Sequence, residues 1–216
     1  MSRMKTKIFR IYGPPGTGKT TALLNKVDDA LNQGIHPSKI GYFAFTRQAA
    51  YEAIERACQR FSLEPKQLPW FRTLHSFALR LSGIRPEQIM QAEHYRELSR
   101  AIGVSITVDR FNAEDNILES NANSDPILSI INLARLRKVP LRSQYNQSNT
   151  DIDWVTLSYV AESLINYKKR LQLYDFTDML EIFVNESSKF CPNLSVSFID
   201  EAQDLSPLQW DVAHII

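Results

Sequence analysis

Apolar and polar residues switch between two periods along this chain, and the switches mark its elements. Lys7 to Tyr12 form a short β-prone run that meets Gly13-Pro14-Pro15-Gly16, and past Gly18 the spacing of Leu23, Val27, Ala30 and Leu31 predicts an amphipathic helix ending near Gly34. Ile40 to Phe45 is nearly continuously apolar, the pattern of a strand buried on both faces. Arg47 to Phe61 returns to the helical period, with Ala50, Ile54, Ala57 and Phe61 on one face. A short segment at Phe71 to Thr73 then feeds a helix over Leu74 to Leu81.

From about residue 85 the pattern becomes helical throughout: Pro86 to Ile102, Pro126 to Arg137 and Ile152 to Arg170, divided by Asn/Ser-rich loops at Glu119 to Asp125 and Ser143 to Thr150. Strand character returns only at Ser195 to Ile199. The expected organisation is therefore an α/β domain that starts in 1–84, is interrupted by a helical insertion over 85–171, and resumes in 172–216.

Composition narrows the class. The 216 residues are 44% hydrophobic, enough for one α/β core and a smaller appended unit. No run of about 18 apolar residues is present, and the basic start leads straight into Ile8, Phe9 and Arg10 without the apolar stretch of a signal peptide, so a cytoplasmic location is expected. Cys58 and Cys191 have neither CxxC spacing nor clustered histidines, which predicts reduced thiols and no zinc site. The net charge of +1 conceals an asymmetry: residues 1–80 hold 13 Lys/Arg against 5 Asp/Glu, and residues 171–216 hold 1 against 8. A basic first segment suits a polyanion, and a solvated face equally well.

Candidate chemistry starts at Gly13-Pro14-Pro15-Gly16-Thr17-Gly18-Lys19-Thr20, which fits GxxxxGK[ST] between an expected strand and an expected helix. Glycines at 13, 16 and 18 let backbone N–H groups converge on phosphate oxygens, and the helix N-terminus adds a favourable dipole. Lys19 can neutralise the β- and γ-phosphates, Thr20 can ligate Mg²⁺, and Thr21 continues the phosphate-facing turn. Such a loop needs carboxylates for the metal and for the attacking water, and Val196 to Glu201 supplies two at the end of a strand. Asp200 is the metal-side candidate; Glu201 is the candidate for orienting and deprotonating water.

Together with Phe45-Thr46-Arg47-Gln48-Ala49-Ala50 and Thr73-Leu74-His75-Ser76-Phe77, the segment Asp200-Glu201-Ala202-Gln203-Asp204 resembles the signatures of the UvrD/Rep-type superfamily 1 helicases, in the same order. The resemblance spans nearly the whole chain, dense at the motifs and thin in the helical middle. It implies a RecA-like P-loop NTPase domain with a parallel sheet, interrupted by a mostly helical subdomain, using Mg-ATP to drive 3′-to-5′ movement on single-stranded DNA. It also implies strand-binding positions at Phe45, Thr46, Arg47, Thr73 and His75, and a coupling role for Gln203. An aromatic at a strand's end can stack on a base, while Thr and His can bond phosphate without reading sequence. Taken singly, Phe45 suits a core, His75 a structural role and Arg47 a solvated surface; their joint order carries the reading. Tyr174 to Leu180 resembles a further family segment and equally suits a helix cap. The clusters Arg135, Arg137, Lys138, Arg142 and Lys168, Lys169, Arg170 suit a backbone track or a solvated face.

Three departures from the family pattern stand out. No glutamine precedes the loop, so selectivity for ATP over GTP is left unspecified; Thr21 stands where many relatives have arginine; and no second RecA-like domain follows the acidic motif before Ile216. A fragment that binds nucleotide better than it turns it over is expected. Two competing readings are an AAA-type ATPase, disfavoured by the 181 positions between Lys19 and Asp200, and a nucleotide-dependent DNA-binding module that does not cycle.

Overall fold

A computed structural model of the chain describes residues 8–14, 16–107 and 125–216. At its centre is a three-stranded parallel sheet of β1 (Ile40–Ala44), β2 (Phe71–Thr73) and β3 (Val196–Ile199), in the order β2-β1-β3. Every residue of β1 is buried, as its unbroken apolar run requires of a central strand. Successive side chains point to opposite faces. Ile40, Tyr42 and Ala44 therefore enter one core with Leu24 and Val27 of α1 (Lys19–Asn32) and Ala50, Ala53 and Ala57 of α2 (Arg47–Phe61). Phe43 enters the opposite core with Phe77 of α3 (Leu74–Ser82), Leu180 of α8 (Phe176–Ile182) and Val212 of α9 (Pro207–Ile215). A Cβ at Gly41 would lie 2.7 Å from the Phe43 ring and 2.9 Å from Leu194, so any larger residue there must displace those side chains.

Helices α4 (Ala92–Ile102), α5 (Pro126–Leu136), α6 (Leu141–Gln147) and α7 (Trp154–Leu171) surround a third core, in which Tyr95, Leu98, Ile131, Leu157, Val160 and Leu164 are buried. The chain leaves the sheet region and returns to it side by side. Ile89 and Tyr174 form a parallel bridge, with Met90 N donating to Tyr174 O at 2.9 Å and Tyr174 N to Gln88 O at 2.7 Å.

Four sequence expectations change. Ile8 to Tyr12 is not a strand; it makes no ladder and leaves Phe9 and Tyr12 exposed, because β propensity yields a strand only where a neighbouring edge supplies partners. The single helix expected over Pro86 to Ile102 is a 3₁₀ turn at Pro86–Gln88 followed by α4, since Ile89 and Met90 are drawn into the bridge with Tyr174. Part of the loop expected at Ser143 to Thr150 is α6, stabilised by buried Gln144 and by Tyr145 packed 5.5 Å from Trp154. Helix α9 forms where no helix was specified, while α8 takes the helix-cap alternative of Tyr174 to Leu180; each is opened by a capping box, at Ser206 and Asp175. The loop expected at Glu119 to Asp125 lies outside the described residues except for Asp125, which caps α5 by accepting from Ile127 N and Leu128 N.

Candidate nucleotide site and strand-binding motifs

The glycine-rich loop is shaped by its own residues. Gly16 and Gly18 take φ of 77° and 80°, the left-handed region that favours glycine, and Gly18 leads directly into α1 without any side-chain cap. The first turn of α1 thus keeps its N–H groups for an anion, and it contains no acidic residue. Thr17 braces the loop by donating Oγ1 to Pro14 O at 2.7 Å. Lys19 folds back over it, with Nζ donating to Gly13 O at 3.2 Å and Pro14 O at 3.4 Å. Pro15 lies outside the described residues, and Thr21 is exposed on the first turn of α1.

Asp200 directly follows β3, its backbone N–H donating to Phe43 O at 2.8 Å. Its carboxylate is buried and gathers three donors: Thr20 Oγ1 at 2.9 Å and Tyr42 OH at 2.8 Å on Oδ2, and Glu201 N at 3.1 Å on Oδ1. Burial, reinforced by Asp200, pushes the Tyr42 phenol well above its ordinary pKa, so Tyr42 is a fixed donor. Nothing in the sequence singled out Tyr42; it reads as one more apolar residue of β1. Glu201 adopts φ 50° and ψ 41°, a left-handed conformation costing about 1 kcal/mol for a side-chain-bearing residue. Gln203 holds the Glu201 carboxylate through Nε2 and also donates to Asp204 Oδ2 at 3.1 Å.

The strand-motif residues lie along the same rim. The register sets Ala44 beside Thr73 and Phe43 beside Ile199, so the segments after β1, β2 and β3 all emerge at the carboxyl end of the sheet, where α/β folds place ligands. Half-buried Phe45 sits just past β1. Thr46 and Thr73 cap α2 and α3 by accepting from Ala49 N at 3.0 Å and Ser76 N at 3.1 Å, which leaves each hydroxyl hydrogen for another partner. Arg47 opens α2. His75, on the first turn of α3, has its pKa pushed down to about 4 by burial, so its imidazole is neutral near pH 7.

The pattern of the UvrD/REP helicase N-terminal domain matches residues 2–216. The chain belongs to that family. No curated protein matches it. Helicases of this family hydrolyse ATP with Mg²⁺ and act on DNA. The residues of this UvrD/REP domain suit that cation: Thr20 and Asp200 offer oxygen ligands beside a phosphate-type loop, and Mg²⁺ commonly takes only one or two carboxylates, with water and phosphate completing its shell. Among the described residues no group of three or more His, Cys, Asp or Glu is placed to hold a metal, and no helix is long and apolar enough to cross a membrane.

Two basic residues that could have tracked a backbone serve another purpose in this UvrD/REP domain. Arg135 and Lys168 are enclosed by carboxylates: Arg135 bonds Asp175 at 2.8 Å, Asp178, and Glu181 at 2.7 Å, and Lys168 bonds Asp175 and Asp178. This network ties α5 and α7 to α8. The helix-capping reading of Tyr174 to Leu180 describes Asp175, which accepts from Asp178 N at 2.8 Å. Arg137 donates to Gln144, Lys138 pairs with Asp211, and Arg142 lies 4.5 Å over the Trp154 ring.

Proposed function

We propose that this chain is the nucleotide-binding motor domain of an ATP-dependent DNA helicase or translocase that moves 3′ to 5′ on single-stranded DNA. The observation that carries it is the 2.9 Å contact from Thr20 Oγ1 to Asp200 Oδ2, which joins the phosphate loop to the acidic motif at the end of β3. In this reading Gly13, Gly16, Gly18 and the first turn of α1 cradle the phosphates, and Lys19 leaves its loop carbonyls to meet β/γ oxygens. Thr20 and Asp200 hold Mg²⁺, which when bound supplies neutralising charge at those phosphates. Glu201 orients the attacking water and accepts its proton as the γ-phosphoryl group leaves ADP.

Gln203 reports nucleotide state to the rim through its bond with Glu201. Phe45 stacks a base, while Thr46, Arg47, Thr73 and His75 bond phosphates, so contact is made without sequence readout. Residues 85–171 form the inserted helical unit, a division supported by the pairing of Ile89 with Tyr174 near its two ends. A companion domain supplies the arginines that phosphoryl transfer needs, worth about 10³ to 10⁵ in rate.

Steady-state ATP hydrolysis with and without single-stranded DNA, with Lys19→Ala as the blank, tests the proposal. Turnover stimulated by the strand supports a coupled site; Mg-ATP binding without turnover supports a half-site awaiting its companion; no Mg-ATP binding contradicts the proposal.

A further inference from the structure

Trp70, at the start of the edge strand β2, has two guanidinium groups against its ring: Arg80 at 5.1 Å and Arg72 at 5.8 Å from the centroid. Phe77 fixes the ring edge-on at 5.6 Å. Arg72 is turned toward α3 by its own bonds, Nε to Pro69 O at 2.9 Å and Nη1 to Ser76 Oγ at 3.2 Å. Arg80 projects from the last turn of α3, exposed, with the ring as its one recorded partner among the described residues.

No carboxylate pairs with either guanidinium among the described residues. Burial and the nearby Arg80 charge both lower the pKa of Arg72. Arg135 shows how the same molecule treats a desolvated arginine it keeps for structure, with three carboxylates around it. The Trp70 face offsets part of the repulsion between Arg72 and Arg80. An external anion would offset the remainder, and two guanidinium forks beside one another suit phosphate oxygens.

We infer that Arg72, Arg80 and Trp70 form a phosphate-binding position for a nucleic-acid strand. The position lies beyond the Thr73 and His75 rim: five residues of α3 carry Arg80 about 7.5 Å along the helix from His75. Arg72 directly precedes Thr73 on the edge strand β2, with its side chain leaving the opposite face, so a strand that contacts Thr73 reaches this pair around the open edge of the sheet. The inference rests on the strand-binding reading above and extends it to residues that reading does not use.

Equilibrium binding of a labelled oligo(dT) across a salt series tests it. Arg80→Gln is expected to weaken binding about fivefold at low salt, the scale of one exposed ion pair. It is also expected to flatten the slope of log K against log salt by about 0.7, the loss of one single-strand phosphate contact. Arg80→Lys keeps the wild-type slope, and Lys26→Gln, which removes a charge from the exposed face of α1, leaves slope and affinity unchanged. A wild-type slope in Arg80→Gln, or equal flattening in Lys26→Gln, overturns the inference alone. Failure of the wild-type chain to bind oligo(dT) overturns it together with the strand-binding reading.

Discussion

The Thr20 hydroxyl donates to Oδ2 of Asp200 at 2.9 Å, linking residues 180 positions apart, and Tyr42 donates to the same oxygen from the middle of β1. One carboxylate oxygen is thereby anchored to the sheet by a buried phenol and presented to the loop by a threonine. In the proposed site the threonine exchanges its carboxylate partner for a cation, while the phenol keeps its bond to Asp200. Removing the phenol should loosen the anchor and leave the loop intact. Tyr42→Phe is expected to cost about 1 to 3 kcal/mol in chemical denaturation and to raise the Mg²⁺ concentration needed for nucleotide binding. An unchanged Mg²⁺ dependence would show that Tyr42 does not position Asp200.

Glu201→Gln should retain Mg-ATP affinity and lower hydrolysis by about 10² to 10⁴, the usual scale for losing a general base. Wild-type turnover measured under the same conditions is the reference. Normal turnover in that variant removes Glu201 from the proton-accepting role.

The helix and strand positions that depend on local pattern were legible in the sequence. Arg47–Phe61 and the strands at Ile40–Ala44 and Val196–Ile199 form as their apolar patterns specify, and the Thr20 and Asp200 motifs meet at the carboxyl end of β3. What could not be read depends on distant partners. Ile8 to Tyr12 has strand composition without a ladder; Tyr42 looks apolar until its hydroxyl meets Asp200; Arg135 and Lys168 look solvated until α8 brings three acids to them. Helix α6 owes its place to buried Gln144 and to the Tyr145–Trp154 contact, which polar composition does not reveal.

The network around Arg135 sets an acid limit on stability. Burial opposes ionisation of Asp175, yet Arg135 and Lys168 outweigh it and hold the carboxyl at about 2, below the unfolded value of about 3.9. The native state therefore binds fewer protons there than the unfolded chain. Its stabilisation is fully present above about pH 4 and disappears as pH falls toward 2. Asp178, raised by burial and by Asp175, has the opposite sign above its unfolded value. Arg135→Met, which leaves Asp175 and Asp178 to Lys168 alone and takes from Glu181 its Arg135 partner, should cost about 3 to 5 kcal/mol by denaturant titration at pH 7. A loss under 1 kcal/mol would show that α5 and α8 are not held together this way.

His75 carries a different pH signature. Its pKa in the fold is about 4, below the unfolded value of about 6.5, so the unfolded chain takes up the proton first and the His75 contribution to stability declines as pH falls from about 6.5 to 4. Strand affinity should show no His75-dependent step between about pH 6 and 8. Comparing oligo(dT) binding by wild type and His75→Gln across that range checks this; a step present only in the wild type would mean that His75 is charged when it meets the strand.

In the proposed function the loop at Lys19 and the carboxylate of Asp200 form one Mg-nucleotide site. Calorimetric titration of Mg-ATP into the wild type and Lys19→Ala, with circular dichroism as the check on folding, tests it most directly. Saturable binding to the wild type is expected, and in the folded variant a loss of affinity of at least about tenfold, the equivalent of about 1.4 kcal/mol. Equal affinity in the two proteins would contradict it.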